Sequence, residues 1–352
     1  MREIKIGNVL VGESNPCFLI AEIGSNHNRD IEIVKRLVDV SAEAGINCVK
    51  FQTYEPQEVF SGKITTRDVG YEDMYGFKPW WEVARDRILM PREWFKETFE
   101  YIREKNMLPL STVHSAKDAE FVMQFDPPAF KVASIDVSYL EFLRELAGFN
   151  KPIILSTGMS QLGEIEKAVQ AILSEGNDKL TLLHCVSCYP PEPEIVNLRN
   201  IILLRKAFGL PVGFSDHHPE NYLAASSIAL GACILEKHIT LDRNMEGPDH
   251  PFALEPEGIR ELVVASREVE AALGSSQRSL SVREMESRKQ IRRSIVARCD
   301  INPGELIKRE MLKMSRPGTG IEPEQVNFII GRKAQVLIEK DDVITMEMLD
   351  QS

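Results

Sequence analysis

The sequence predicts an α/β protein: a (β/α)8 TIM barrel followed by a small β-rich domain. Three observations lead there. Eight short apolar runs alternate with helix-period stretches over roughly 260 residues, the arithmetic of such a barrel. No G-x-G-x-x-G turn follows the first run, so the usual cue for the rival doubly wound open sheet is missing. Past residue 273 the sequence turns polar and then breaks into short strands.

In order, the strands are read at 18–24 (FLIAEIG), 48–53 (CVKFQT), 108–113 (LPLSTV), 129–134 (AFKVAS), 152–157 (PIILST), 180–186 (LTLLHCV), 211–216 (PVGFSD) and 233–240 (CILEKHIT). A helical period follows each, as in 30–44 and 161–174. Asp30 can cap the first helix and Gly45 can end it. The 54–90 interval, with Trp80 and Trp81, is long for a barrel loop and is expected to shape the active face. Residues 1–275 are read as barrel and 276–290 as a polar linker with a helical turn. Residues 291–352 are read as a small domain built from RRSIVARCDINPGE, LKMSRPGTGI and GRKAQVLIEKDDVI. A domain that small is marginal alone, so it is expected to dock on something larger.

The composition is globular, with 43% hydrophobic and 27% charged residues in a chain of 352. A net charge of −11, with ten basic and ten acidic residues after position 290, leaves no basic tail and argues against nucleic acid as partner. No apolar run reaches the roughly 18 residues of a membrane span. MREIKIGNVLVGESNP lacks a basic-then-apolar leader, so a cytoplasmic location is expected. Six scattered cysteines fit reduced thiols. The single C-x-x-C at Cys185 and Cys188 has no second pair to make a zinc site.

The polar chemistry gathers at the carboxyl ends of the strands, where barrels build active sites. All seven histidines (27, 114, 184, 217, 218, 238 and 250) are read at or just past strand ends and none in a helix. Alternation along the strands puts Lys50 with Gln52, Ser215 with His217, and Glu236 with His238 on shared faces, and turns Lys237 the other way, toward a salt bridge in the helix layer. Two imidazoles on adjacent strands suit a divalent transition metal, with Glu22 near enough to complete the site or to act in proton transfer. Lys50 and Lys131, with hydroxyls at Thr112, Ser134, Ser156 and Ser215, suit a phosphate or carboxylate, buried Lys–Glu pairs being the plainer alternative.

Read together, AEIGSNHN (21–28), KFQT (50–53), KVAS (131–134), STGM (156–159), HCVSCYP (184–190), GFSDH (213–217), EKHIT (236–240) and GPD (247–249) resemble the sialic acid synthases. RSIVARCDINPGE and RPGTGI resemble the antifreeze-like (SAF) domain that follows the barrel in that family. The resemblance implies condensation of phosphoenolpyruvate with the open-chain aldehyde of an N-acylated hexosamine, giving a nine-carbon 2-keto acid and phosphate. It implies that Lys50, Lys131, Ser134, Ser156 and Ser215 hold phosphoenolpyruvate, with Thr112 and Ser187 beside them. It assigns His217 and His238 to a divalent metal, typically manganese, and Glu22 to the oxocarbenium centre. Gln52, Asp136, Tyr189 and Asp249 would contact the sugar. Arg316 would reach the sugar's acyl group from the other subunit of a domain-swapped homodimer. Three positions depart from the family: Arg29 where Gly is usual, Ser187 where Asn is frequent, and Asp136 where Glu is usual. The last suggests a modified sugar, such as the diacetamido hexoses that relatives convert to legionaminic or pseudaminic acid. The alternatives are a phosphoenolpyruvate aldol synthase acting on a sugar phosphate, and a non-catalytic carbohydrate-binding barrel.

Overall fold

The computed structural model describes residues 2–350. Its contacts divide the chain into two units, Met1–Gly274 and Ser275–Ser352.

The first unit opens with a hairpin that the sequence reading did not contain, β1 (Ile4–Ile6) paired antiparallel with β2 (Val9–Val11). Eight parallel strands follow: β3 (Phe18–Glu22), β4 (Cys48–Thr53), β5 (Leu108–Val113), β6 (Phe130–Val132), β7 (Ile153–Ser156), β8 (Leu180–Cys185), β9 (Val212–Asp216) and β10 (Ile234–His238). They close in chain order, β10 pairing with β3, into a barrel. The helices around it are α1 (Ile31–Ala44), α2 (Phe95–Glu104), α3 (Ala116–Met123), α4 (Leu140–Gly148), α5 (Leu162–Ser174), α6 (Asn200–Phe208), α7 (Tyr222–Ala229) and α8 (Pro256–Leu273). Helix α1 starts and stops as its sequence demands. The Asp30 side chain accepts from the Glu32 N–H, and Gly45 takes a left-handed φ of 89° that an L side chain resists.

Strand alternation sorts the apolar residues into two cores. Outward residues such as Leu19, Val49, Phe51, Val132, Leu155 and Leu235 meet the helices. Inward residues at the amino-terminal half of the barrel, among them Phe18, Ile20, Cys48, Leu110, Ile154, Leu183 and Ile234, form a second cluster with Ile4, Ile6 and Val11 of the hairpin. The hairpin therefore plugs the lower barrel. The next inward residue along several of these strands is polar, so the barrel interior changes from oil to ions at one level.

In the second unit the stretch read as a linker contains a ten-residue helix, α9 (Val282–Ile291), begun by a Ser281–Glu284 capping box. Strands β11 (Ser294–Ala297) and β12 (Leu312–Ser315) pair antiparallel. The third expected strand segment, 331–344, corrects to isolated bridges such as Ile301 to Ile338 and Val296 to Val343. Its alternate apolar residues Ala334, Ile338 and Ile344 fill a small core rather than extending a ladder. Among the described residues no helix is long and apolar enough to cross a membrane.

Candidate active site

The polar level of the barrel opens into a cavity of about 340 Å³. Its floor is ionic. Lys50 Nζ lies 2.7 Å from Glu22 Oε2 and donates to Thr112 Oγ1 at 3.0 Å. Lys131 Nζ donates to Ser156 Oγ at 2.8 Å and to the Val132 carbonyl at 3.0 Å. Glu236 stands between the lysines, 3.8 Å from Lys50 and 3.9 Å from Lys131, and accepts from Ser215 Oγ at 2.9 Å. Gln52 Nε2 donates to Glu22 Oε1 at 2.7 Å.

All four ionic side chains are buried. Burial opposes charge on Lys50, yet Glu22 and Glu236 together outweigh it and raise its pKa. Burial wins at Lys131, whose pKa is lowered despite Glu236. Glu236 is lowered to about 2 because Lys131, Lys50 and the Ser215 hydroxyl overcome its own desolvation. Two ammonium groups facing two carboxylates, with hydroxyls pointing into the same space, make a floor that can exchange an internal counter-anion for a bound one.

The rim carries the imidazoles. His217 and His238 have ring centroids 5.3 Å apart, and the Tyr189 ring lies 4.2 Å from that of His217. His217 Nδ1 is engaged by the Val186 carbonyl at 3.1 Å, which leaves Nε2 free. Burial, then the neighbouring His238, lowers the His217 pKa to about 3, so the ring is neutral and able to ligate. His238 Nδ1 is buried without a hydrogen-bond partner, with Asp249 Oδ2 3.7 Å away. Two imidazole nitrogens, the free Nε2 of His217 and the orphaned Nδ1 of His238, fit a divalent cation. No cluster of three or more His, Cys, Asp or Glu surrounds them among the described residues, so the other coordination positions would fall to substrate and water.

Of the sequence-predicted residues, Glu22, Lys50, Gln52, Thr112, Lys131, Ser134, Ser156, Ser187, Tyr189, Ser215, His217 and His238 all line this cavity. Asp249 is just behind it, bonded to Ser25 Oγ at 3.0 Å. A side chain at Gly24, whose φ is 54°, would come within 2.8 Å of that carboxylate. Asp136 is not among the lining residues, and its Oδ2 is turned to His114 Nδ1 at 2.8 Å. Arg316 belongs to the second unit, directly after β12.

The expectation that all seven histidines share one rim is corrected. Only His114, His217 and His238 line the cavity. His184 faces the other side of β8, where its Nε2 meets the Val196 carbonyl at 2.6 Å. His218 pairs with Tyr222 at 3.0 Å, and His27 is buried in the β3–α1 loop. His250 begins a short 3-10 helix, His250–Phe252, between Thr240 and Asn28. Alternation and loop packing, neither of which counting strand ends captures, send these four away. Lys237 pairs with Asp216 at 2.6 Å in the helix layer, as its parity implies. Arg29 donates to the Arg85 carbonyl at 2.6 Å and pins the 54–90 loop. Its φ of 54° explains why a glycine is suited to that position. The site also contains Glu236, whose inward face alternation had already given, Met159 and Cys185 from the STGM and HCVSCYP motifs, Tyr54, Val59 and Phe60 from the 54–90 interval expected to shape the active face, and Ile135, for which the sequence carried no signal.

Comparison with known proteins places this geometry. Residues 37–278 match the NeuB family model and residues 292–350 the SAF domain. The chain belongs to the NeuB family. Among relatives of this NeuB-family chain, an uncharacterized protein of Methanocaldococcus jannaschii is 39% identical over 98% of both chains. The N-acetylneuraminate-9-phosphate synthase of Homo sapiens is 34% identical over 97% of this chain and 94% of that one. The crystal structure of N-acetylneuraminic acid (sialic acid) synthetase from Leptospira borgpetersenii, in complex with citrate, is similar with a TM-score of 0.72 and 30% identity, over 81% of this chain and 95% of that one. The NeuB-family chain is an enzyme of the synthase type, a transferase that forms C–C bonds.

Proposed function

We propose that this enzyme condenses phosphoenolpyruvate with the open-chain aldehyde of an N-acylated hexosamine, N-acetylmannosamine or a diacetamido relative, to give a nine-carbon 2-keto sugar acid and phosphate. The observation that carries the reading is that two buried ammonium groups, Lys50 bonded to Thr112 and Lys131 bonded to Ser156, line one cavity with the Ser215 hydroxyl and the imidazoles of His217 and His238.

In this reading Lys50, Lys131, Ser134, Ser156 and Ser215 hold the phosphate and carboxylate of phosphoenolpyruvate, with Thr112 and Ser187 at the edge. His217 and His238 would hold a divalent cation, manganese in this proposal, which supplies Lewis acidity to the aldehyde carbonyl. C3 of phosphoenolpyruvate attacks the aldehyde carbon. Glu22, held by Lys50 and Gln52, faces the cationic C2 that develops and stabilises it by charge. Water adds at C2, and phosphate leaves by C–O cleavage into the lysine floor. Gln52, Tyr189 and Asp249 position the sugar, and Arg316 of a partner subunit in a domain-swapped homodimer reaches its acyl group.

A phosphorylated hexosamine is the second reading, favoured by the 9-phosphate in the name of the human relative. Against it, Lys50 and Lys131 are the only Lys or Arg side chains lining the cavity among the described residues, and the floor already occupies both. Phosphate release from phosphoenolpyruvate, assayed with a panel of free and phosphorylated aldoses, decides. Release with free N-acylated hexosamines supports the proposal. Release only with sugar phosphates replaces it with the second reading, and no release with any aldose removes both.

A further inference from the structure

The reaction just proposed consumes an open-chain aldehyde, yet hexosamines rest in water overwhelmingly as closed hemiacetal rings. A site that only waits for the open form works against that equilibrium. The inference below rests on that reading and concerns how the ring opens.

His114 follows β5 directly, two residues beyond Thr112, whose hydroxyl accepts from Lys50 on the floor. Register pairs Gln52 with Thr112 and Thr53 with Val113, so His114 stands one step nearer the mouth than the phosphoenolpyruvate floor, on the Gln52 side. Its ring meets Tyr54 edge-on at 5.1 Å, and both line the cavity. Asp136 comes from the neighbouring β6 loop, in the short 3-10 turn Ser134–Asp136. Its Oδ2 lies 2.8 Å from His114 Nδ1, and both groups are 8% exposed. The approach is off the ideal hydrogen-bond axis, and neither atom has any other partner, so each buried group depends on the other. With Nδ1 facing the Asp136 carboxylate at 2.8 Å, Nε2 is the nitrogen left for the cavity. A carboxylate behind an imidazole fixes its tautomer and supports the imidazolium that proton uptake creates.

We propose that His114, held by Asp136, opens the hexosamine ring at the sugar end of the cavity, so that the enzyme carries an anomerase activity in addition to condensation. Nε2 takes the proton from the anomeric O1–H. The C1–O5 bond breaks as the C1–O1 double bond forms, and O5 receives the same proton back from Nε2–H. The step is an isomerisation; it consumes nothing and leaves the imidazole unchanged. His114 is the group that touches substrate, and Asp136 is a positioning residue acting through it. The neighbouring Tyr54 is a phenol whose pKa burial raises, so it stays protonated and can donate to the sugar without competing as a base. In this proposal Asp136 acts through His114, in place of the direct sugar contact that the family resemblance implied for this position.

The test separates this step from condensation. Full-length enzyme is mixed with N-acetylmannosamine, or with a diacetamido hexose, isotopically labelled at the anomeric carbon, in the absence of phosphoenolpyruvate. Exchange between the α and β anomers is read by NMR magnetisation transfer. Wild-type enzyme is expected to accelerate exchange. His114→Ala and Asp136→Asn are expected to lose about 10²-fold of that acceleration, with the melting temperature lowered but folding still cooperative and phosphoenolpyruvate affinity retained. Added imidazole restores exchange in His114→Ala, and Asp136→Glu restores part of it, outcomes that a purely structural pair would not give. Wild-type enzyme that condenses a sugar without accelerating its anomer exchange overturns the inference and leaves the proposed function standing. Exchange unchanged in His114→Ala overturns it as well. Failure to condense any sugar removes both.

Discussion

Lys50 Nζ lies 2.7 Å from Glu22 Oε2, and solvent reaches almost none of either side chain. The pair sits where the barrel interior turns from apolar to ionic, so each charge is held by the other rather than by water.

That dependence makes a double-mutant cycle informative. Lys50→Met leaves the Glu22 carboxylate buried and unpaired, which costs about 3–5 kcal/mol of stability. Lys50→Met combined with Glu22→Gln is expected to recover much of that loss while turnover stays abolished. Urea unfolding gives the stabilities, and phosphate release the activity. A single variant as stable as wild type would refute the mutual dependence.

The imidazole pair predicts a metal requirement. Alanine at His217 or His238 is expected to abolish both manganese binding, followed by calorimetry, and metal-dependent turnover. Retained turnover in both variants would exclude the site.

Stability should depend on His27, which is buried and has its Nδ1 accepting from the Arg29 N–H at 2.9 Å. Burial first, and the Arg29 charge second, lowers its pKa from 6.5 to about 4. Between those values the unfolded chain binds the proton and the folded chain does not. The stability this ring contributes is therefore complete above pH 6.5 and erodes as pH falls toward 4, with a slope of at most about 1.4 kcal/mol per pH unit. His27→Gln is expected to flatten that part of the curve in urea unfolding from pH 7.5 down to about 4.5. An unchanged slope would mean that other groups carry it.

The second unit has a different predicted role. A chain ending at Gly274 keeps the barrel's two cores and its hairpin plug. It should melt cooperatively by circular dichroism and yet lack synthase activity, and Arg316→Ala in the full chain should raise KM for the sugar. A fully active truncated chain would remove Arg316 from the proposed mechanism.

The sequence by itself determined the barrel, because period-2 strands and period-3.6 helices alternate eight times with few interruptions. It also determined the inward set Lys50, Gln52, Ser215, His217, Glu236 and His238, because side chains along a strand change face at every residue. The family was legible in ordered motifs. The plug was not, since Ile4–Val11 is too short to show a period against its surroundings. Nor was the sorting of the histidines: strand ends gave seven candidates, and only packing shows that His184 turns outward and that His250 is locked between Thr240 and Asn28. The meeting of His114 with Asp136 was likewise decided by tertiary structure alone. Those residues lie on loops after different strands, and the distance between them is set by barrel closure, which no local pattern encodes.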